Sequence, residues 1–142
     1  MVVAPTRIET RILNSLVEIP RIARMVEALG AEHHLSSDVV YDLQLALEEI
    51  LTNVITHGYS DTQVHHIWLC VTLDAAVVTA EIQDDGRRFN PLEAPRPDLR
   101  MNLKHRPVGG LGIHFVRALM DEVEYVWAEN RNRLILRKRT EQ

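Results

Sequence analysis

The run "SSDVVYDLQLALEEILTNVITHG", residues 36–58, constrains this chain more than any other stretch of it. Val39, Leu43, Leu47, Ile50 and Val54 recur at the helical period, so they form one apolar stripe that another element must cover. Ser36 or Ser37 can cap the start, Asp38 suits the positive end of the dipole, and Gly58 offers a stop after His57. At the border of the stripe, Glu49, Asn53 and His57 fall four residues apart and share one polar line on the same helix. A carboxylate at such a border can have its pKa tuned, and an amide oxygen can bind a hard cation. A plain polar flank would look the same.

The rest of the chain says what covers the stripe. Residues 6–18 read as an opening strand and 21–31 as a helix with Ile22, Met25, Val26 and Leu29 on one face. Runs 65–73 and 77–83, rich in Val, Ile and Thr, predict a hairpin turning at 74–76. A short helix follows over 113–120, then a closing hairpin from 122–128 and 133–139. Between 84 and 112 the periodicity dissolves among Pro91, Pro95, Pro97, Pro107 and several glycines, which predicts a lid or binding loop over 85–108. Hairpins segregated from helices predict an α+β fold. The expected form is a two-layer sandwich, helices on one face of a mixed, mostly antiparallel sheet, in one domain over residues 1–142.

A chain of 142 residues can bury a sizeable core without a disulfide or metal staple. The single cysteine, Cys70, sits in the apolar run "IWLCVTL" and is expected as a small buried hydrophobe in a reducing compartment. No apolar run is long enough to span a bilayer, and Arg7 and Glu9 interrupt the N-terminal region before a signal segment could form. These features predict a cytoplasmic protein with no membrane partner. A net charge of -4 argues against a nucleic-acid surface. The basic "RNRLILRKR", with Arg131, Arg133, Arg137, Lys138 and Arg139, is expected to be a solvated strand end. His65 and His66 are expected at the surface on opposite faces of a strand, and Trp68, Tyr125 and Trp127 as core or rim aromatics.

Two further motifs carry chemistry. In "EIQDDGRRFNP" a strand ends at Asp84, which can accept a hydrogen bond from an exocyclic amine, while Gly86 lets the backbone approach a planar ligand. An acidic turn would read alike. In "VGGLGIHFVRALMDEVEY" glycines run into a helix, so free amides and the dipole can face one anion, phosphate being the natural candidate. A hinge before a helix is the plainer alternative. A dinucleotide fingerprint fails because Phe115 stands where its third glycine belongs, and a P-loop fails because no Lys-Ser or Lys-Thr follows.

In this order, "EEILTNVITHGY", "DDGRRFNP" and "GGLGIHFVRALMDEVEY" resemble the N, G1 and G2 boxes of the GHKL ATPases, the Bergerat-fold superfamily, and within it the anti-sigma factor serine/threonine kinases of the RsbW type. The resemblance covers residues 19–139 and implies ATP and Mg²⁺ as cofactors. It implies Asn53 as the Mg²⁺ ligand, Glu49 as general base, and His57 as the residue closing the helix near the pocket. It further implies Asp84 as the adenine reader with Gly86 beside it, and Gly109, Gly110, Leu111 and Gly112 as the phosphate loop. The implied activity is phosphorylation of a Ser or Thr of an anti-sigma factor antagonist, with a sigma factor as a further partner and a homodimer as the assembly. Competing readings are an ATP-dependent binding switch without phosphotransfer and a freestanding ATP-binding subunit of a split signalling kinase. Two departures stand out: Arg88 replaces a frequent second glycine after the aspartate, and Arg131, Asn132 and Arg133 replace a Gly-Thr-Thr start to the last strand.

Overall fold

In the computed structural model, residues 5–93 and 110–140 are described. They form β1 (Thr6–Leu13), α1 (Ile19–Glu32), α2 (Ser37–His57), β2 (His66–Asp74), β3 (Val77–Asp84), α3 (Gly110–Leu119), β4 (Glu122–Ala128) and β5 (Arg131–Arg139), with short 3-10 turns at Leu16–Glu18 and Pro91–Glu93. One sheet of order β1-β2-β3-β5-β4 results, and all four pairings are antiparallel. The helices pack together on one face of it. The fold is the expected α+β sandwich.

Local chemistry explains the elements. The Ser36 hydroxyl caps α2 by accepting from the Val39 amide at 3.2 Å, and Gly58 follows its last residue. Burial in β3 alternates strictly, as one covered sheet face requires, with Val78, Ala80 and Ile82 inward. Leu43, Leu47, Ile50 and Leu51 of α2 close on these residues, on Ile67, Leu69 and Val71 of β2, and on Leu134 and Leu136 of β5. Cys70 is buried and free, as expected.

Several boundaries differ from the expectations, each for a local reason. The opening strand stops at Leu13 rather than residue 18, because its partner β2 begins at His66, opposite Leu13. The chain then turns, and the Glu18 carboxylate accepts from the Leu13 amide at 3.0 Å. Helix α1 starts at Ile19, with Pro20 in its first turn, where a missing N–H costs nothing. Helix α3 starts at Gly110 instead of residue 113, so Gly110 and Gly112, expected to precede it, lie in its first turn. Strand β5 starts at Arg131, because Glu129 and Asn130 both take left-handed φ, 55° and 60°, and make a two-residue hairpin turn.

The basic stretch divides by strand alternation. Arg133 pairs with Glu81 and Arg137 with Glu122 and Glu124 on the open sheet face, a solvated strand as expected. Lys138 instead points inward, buried, with its Nζ 3.1 Å from Asp42 of α2 and donating to the Leu119 carbonyl at 2.7 Å. His65 also corrects an expectation. It lies just before β2, its ring stacks on Tyr59 at 4.2 Å, and its Nε2 meets Asp61 at 2.8 Å, which raises its pKa. Among the described residues no helix is long and apolar enough to cross a membrane.

Candidate functional site

The C-terminal half of α2, the adjoining ends of β3 and β5, and the start of α3 enclose a cleft of about 230 Å³. Ile50, Val54, Ile82, Ile113 and Leu134 give it apolar walls, and Asn53, His57, Asp84, Arg87, Tyr125 and Asn132 supply polar groups at its floor and rim. Apolar walls with a few convergent polar groups suit a planar ligand.

At the floor, Asp84 ends β3 only 6% exposed. The Gly86 amide donates to its Oδ1 at 3.0 Å and the Asn132 amide nitrogen donates to the same oxygen at 2.9 Å. Burial holds this carboxyl above the usual carboxylate range, the two donors pull it back, and Asp85 pushes it up again. The turn after Asp84 is fastened to the end of α2. The Arg87 amide donates to the Gly58 carbonyl at 2.8 Å and the Arg87 guanidinium to the His57 carbonyl at 3.2 Å. A Cβ at position 86 would stand 2.5 Å from the Gly58 carbonyl oxygen, so this close approach requires glycine. Arg88, the departure noted in the sequence, lies over the Trp127 ring at 5.2 Å and does not line the cleft.

At the other end, α2 presents Glu49 and Asn53 one turn apart, with the Asn53 amide nitrogen 3.5 Å from Glu49 Oε1. The Glu49 carboxylate lies directly against Gly112, where a Cβ would come within 2.0 Å of Oε1. Gly110, Leu111 and Gly112 supply the first amides of α3, which have no intrahelical acceptor. A carboxylate, an amide side chain and a helix N-terminus therefore meet at one place. Among the described residues no group of three or more His, Cys, Asp or Glu could hold a metal. A cation here would take most of its ligands from phosphate and water, as Mg²⁺ does, with the Asn53 oxygen as the protein's donor.

The structure thus places Asn53 and Asp84 on the lining of one cleft with His57 exposed at its edge, Gly86 bonded to Asp84, and Glu49 next to Asn53 and against Gly112 in the first turn of α3, which Gly110 begins. Gly109 and most of the expected lid, residues 94–108, lie outside the described residues. Sequence reasoning missed the part played by Asn132 and Tyr125. Asn132 shares the inward register of "RNRLILRKR" with Leu134 and Leu136, and a buried amide on that stripe was the available signal.

Comparison with known proteins follows the same lines. The sequence pattern of the histidine kinase-like ATPase domain matches residues 13–138. The chain is 25% identical over 111 residues to the serine/threonine-protein kinase BtrW of Bordetella bronchiseptica, covering 78% of each chain. It is 29% identical over 86 residues to the anti-sigma F factor of Bacillus subtilis, covering 61% of this chain and 59% of that protein. Its fold is similar to the structure of the RsbU and RsbW domains of Rv1364c from Mycobacterium tuberculosis, with a TM-score of 0.69 at 17% identity. That match takes in 94% of this chain and 32% of the longer one.

Proposed function

The chain belongs to the histidine kinase-like ATPase domain family, and from that premise we propose that it is a cytoplasmic anti-sigma regulatory kinase. It takes Mg-ATP in the cleft and phosphorylates a Ser or Thr of an anti-sigma factor antagonist, with a sigma factor as its second partner. The observation that carries the reading is the Glu49 carboxylate packed against the first turn of α3, beside Asn53.

Each residue then has a task. Asp84 accepts the adenine amine between the apolar walls. Asn53 offers its amide oxygen to the cation, which when bound would neutralise charge between the phosphates. The amides of Gly110, Leu111 and Gly112 hold the γ-phosphate oxygens, where the helix dipole favours negative charge. Glu49 accepts the proton of the attacking hydroxyl as that oxygen bonds to the γ-phosphorus and ADP leaves. His57 borders the base end. This is positioning and electrostatics, the main resources of phosphoryl transfer.

The test separates enzyme from switch. Glu49→Gln keeps size and hydrogen bonding while removing basicity, so it should hold ATP affinity within a few fold and lower transfer of labelled phosphate by roughly 10² to 10⁴. Glu48 is exposed on the neighbouring face, and Glu48→Gln is the control. Equal behaviour of the two variants, or ATP-dependent partner binding without any labelling, would replace the kinase by a switch. Label on His instead of Ser or Thr would point to a split signalling kinase.

A further inference from the structure

Asn132 is only 7% exposed, and all four of its hydrogen-bonding positions are taken. Its Nδ2 donates to Asp84 Oδ1 at 2.9 Å and to the Arg87 carbonyl at 2.8 Å. Its Oδ1 accepts from the Phe89 amide at 3.0 Å and from the Tyr125 hydroxyl at 2.5 Å. The two backbone partners settle the orientation of the side-chain amide, since a backbone N–H can only donate and a carbonyl can only accept. Spent entirely on protein, Asn132 has no donor or acceptor left for a ligand.

Asp84 is the complement. Both of its hydrogen bonds fall on Oδ1, and Oδ2 accepts none among the described residues. The terminal torsion of an aspartate is broad, so a carboxylate held at neither oxygen could turn freely. Here one oxygen is tied and the other is left to the cleft that Asp84 lines. A buried amide costs free energy unless it is paired, and this one is paired to the residue that reads the base.

We propose that Asn132, anchored from β4 by Tyr125, is a positioning residue for base recognition: it fixes the rotation of the Asp84 carboxylate so that Oδ2 meets a purine amine, and thereby sets the preference for adenine over a base with a carbonyl at that place. The proposal rests on the nucleotide reading of the cleft. Asn132 acts through Asp84 and the 84–89 turn and does not touch the nucleotide. Because the carboxylate is oriented before binding, no rotation has to be frozen when the base arrives.

The experiment measures ADP and inosine diphosphate affinity by calorimetry from pH 5 to 8 for the parent, Tyr125→Phe and Asn132→Asp. The parent should prefer ADP. Tyr125→Phe removes one donor to Asn132 and should lower the ADP to inosine diphosphate ratio about threefold to tenfold, with the larger loss falling on ADP. Asn132→Asp keeps the acceptors for Phe89 and Tyr125 but sets a second carboxylate against Asp84. Such a pair shares one proton at low pH and repels when both ionise, so the ADP preference should fall at least about tenfold as pH rises through that window. In nucleotide-free protein, carbon NMR should show the Asp84 carboxyl titrating higher in Asn132→Asp than in the parent. A parent that binds neither nucleotide would overturn the nucleotide reading and the proposal with it, and one that binds both equally would overturn the proposal while nucleotide binding stands. A discriminating parent whose variants keep the ratio, or lose both nucleotides in parallel, would reduce Asn132 to packing while the nucleotide reading stands. If Asn132→Asp does not fold, the Tyr125→Phe ratio alone decides, since that change removes a single hydroxyl from a half-buried ring.

Discussion

Gly112→Ala should separate stability from catalysis at one contact. Gly112 is the third residue of α3, and its backbone does not fall in the left-handed region, so alanine is conformationally acceptable there. Alanine in a helix is favoured over glycine by about 1 kcal/mol. Opposing this, the new Cβ would lie 2.0 Å from Glu49 Oε1, 2.7 Å from its Cδ and 3.1 Å from its Cγ, so the carboxylate must swing away. The obstacle is the end of a flexible, half-buried side chain, and an off-rotamer displacement costs roughly 0.5 to 1.5 kcal/mol. The two effects nearly cancel, so the thermal midpoint should barely move. If Glu49 is the base, phosphotransfer depends on where that carboxylate stands and should fall on the order of 10². Denaturant melts, nucleotide titration and labelled-phosphate transfer should be run on the parent, Gly112→Ala, Glu49→Ala and the double variant. In the Glu49→Ala background the clash is gone, so Gly112→Ala should stabilise by about 1 kcal/mol and cost no further activity. Parent-level transfer in Gly112→Ala, or an equal activity loss in both backgrounds, would refute the argument that position 112 acts through Glu49.

Other perturbations test the remaining parts. Burial raises the Asp84 pKa above its unfolded value of 3.8, so the folded chain holds that proton more tightly and loses stability as pH rises from there through the raised value. Asp84→Asn should therefore flatten this decline in urea melts and make the nucleotide-free protein more stable at neutral pH, while weakening adenine nucleotide binding by about 1 to 3 kcal/mol; unchanged ATP affinity would point to Asp85 as the base reader. Lys138→Met strands the part-buried Asp42 carboxylate and uncaps the Leu119 carbonyl, which should cost about 2 to 4 kcal/mol in urea, much of it recovered by adding Asp42→Asn. Strand β1 is a sheet edge that runs into the exposed Leu13, Leu16 and Val17, so light scattering should return a dimer mass at micromolar concentration, and Val17→Asp should shift it toward monomer.

Elements whose residues repeat along the chain were legible in the sequence; those set by a partner were not. The α2 stripe and cap, the alternation of β3 and the turn at Ala75 follow from local pattern, and the structure reproduces them. The end of β1 depends on where β2 begins, a distance of some fifty residues in sequence, and nothing local at 14–18 announces it. The inward Lys138 was hidden for the same reason, because its partners Asp42 and Leu119 come from two other elements. In the cleft, Glu49 and Asn53 share a helix, and Asp84 and Gly86 a turn, so their neighbourhoods could be read directly. The link between Glu49 and Gly112 spans elements, and so does the link from Asp84 through Asn132 to Tyr125.

The two ends of the cleft are held by different means, and that difference orders the consequences of change. The Asp84 end rests on β3 and β5, which pair along their length from Val77–Arg139 to Asp84–Asn132, and the 84–89 turn is tied to the end of α2 and the Gly58 after it by two bonds from Arg87. Moving Asp84 therefore means breaking several hydrogen bonds at once. At the other end, by contrast, Glu49 meets α3 through side-chain contact with a glycine. A side chain can give way there without disturbing the backbone. Substitutions around Asp84 should thus appear in nucleotide affinity and in stability together, whereas those at Glu49 or Gly112 should appear in transfer with affinity nearly preserved. A mutant panel in which affinity and transfer always fell in proportion would contradict this division, and would mean that the cleft responds as one rigid unit.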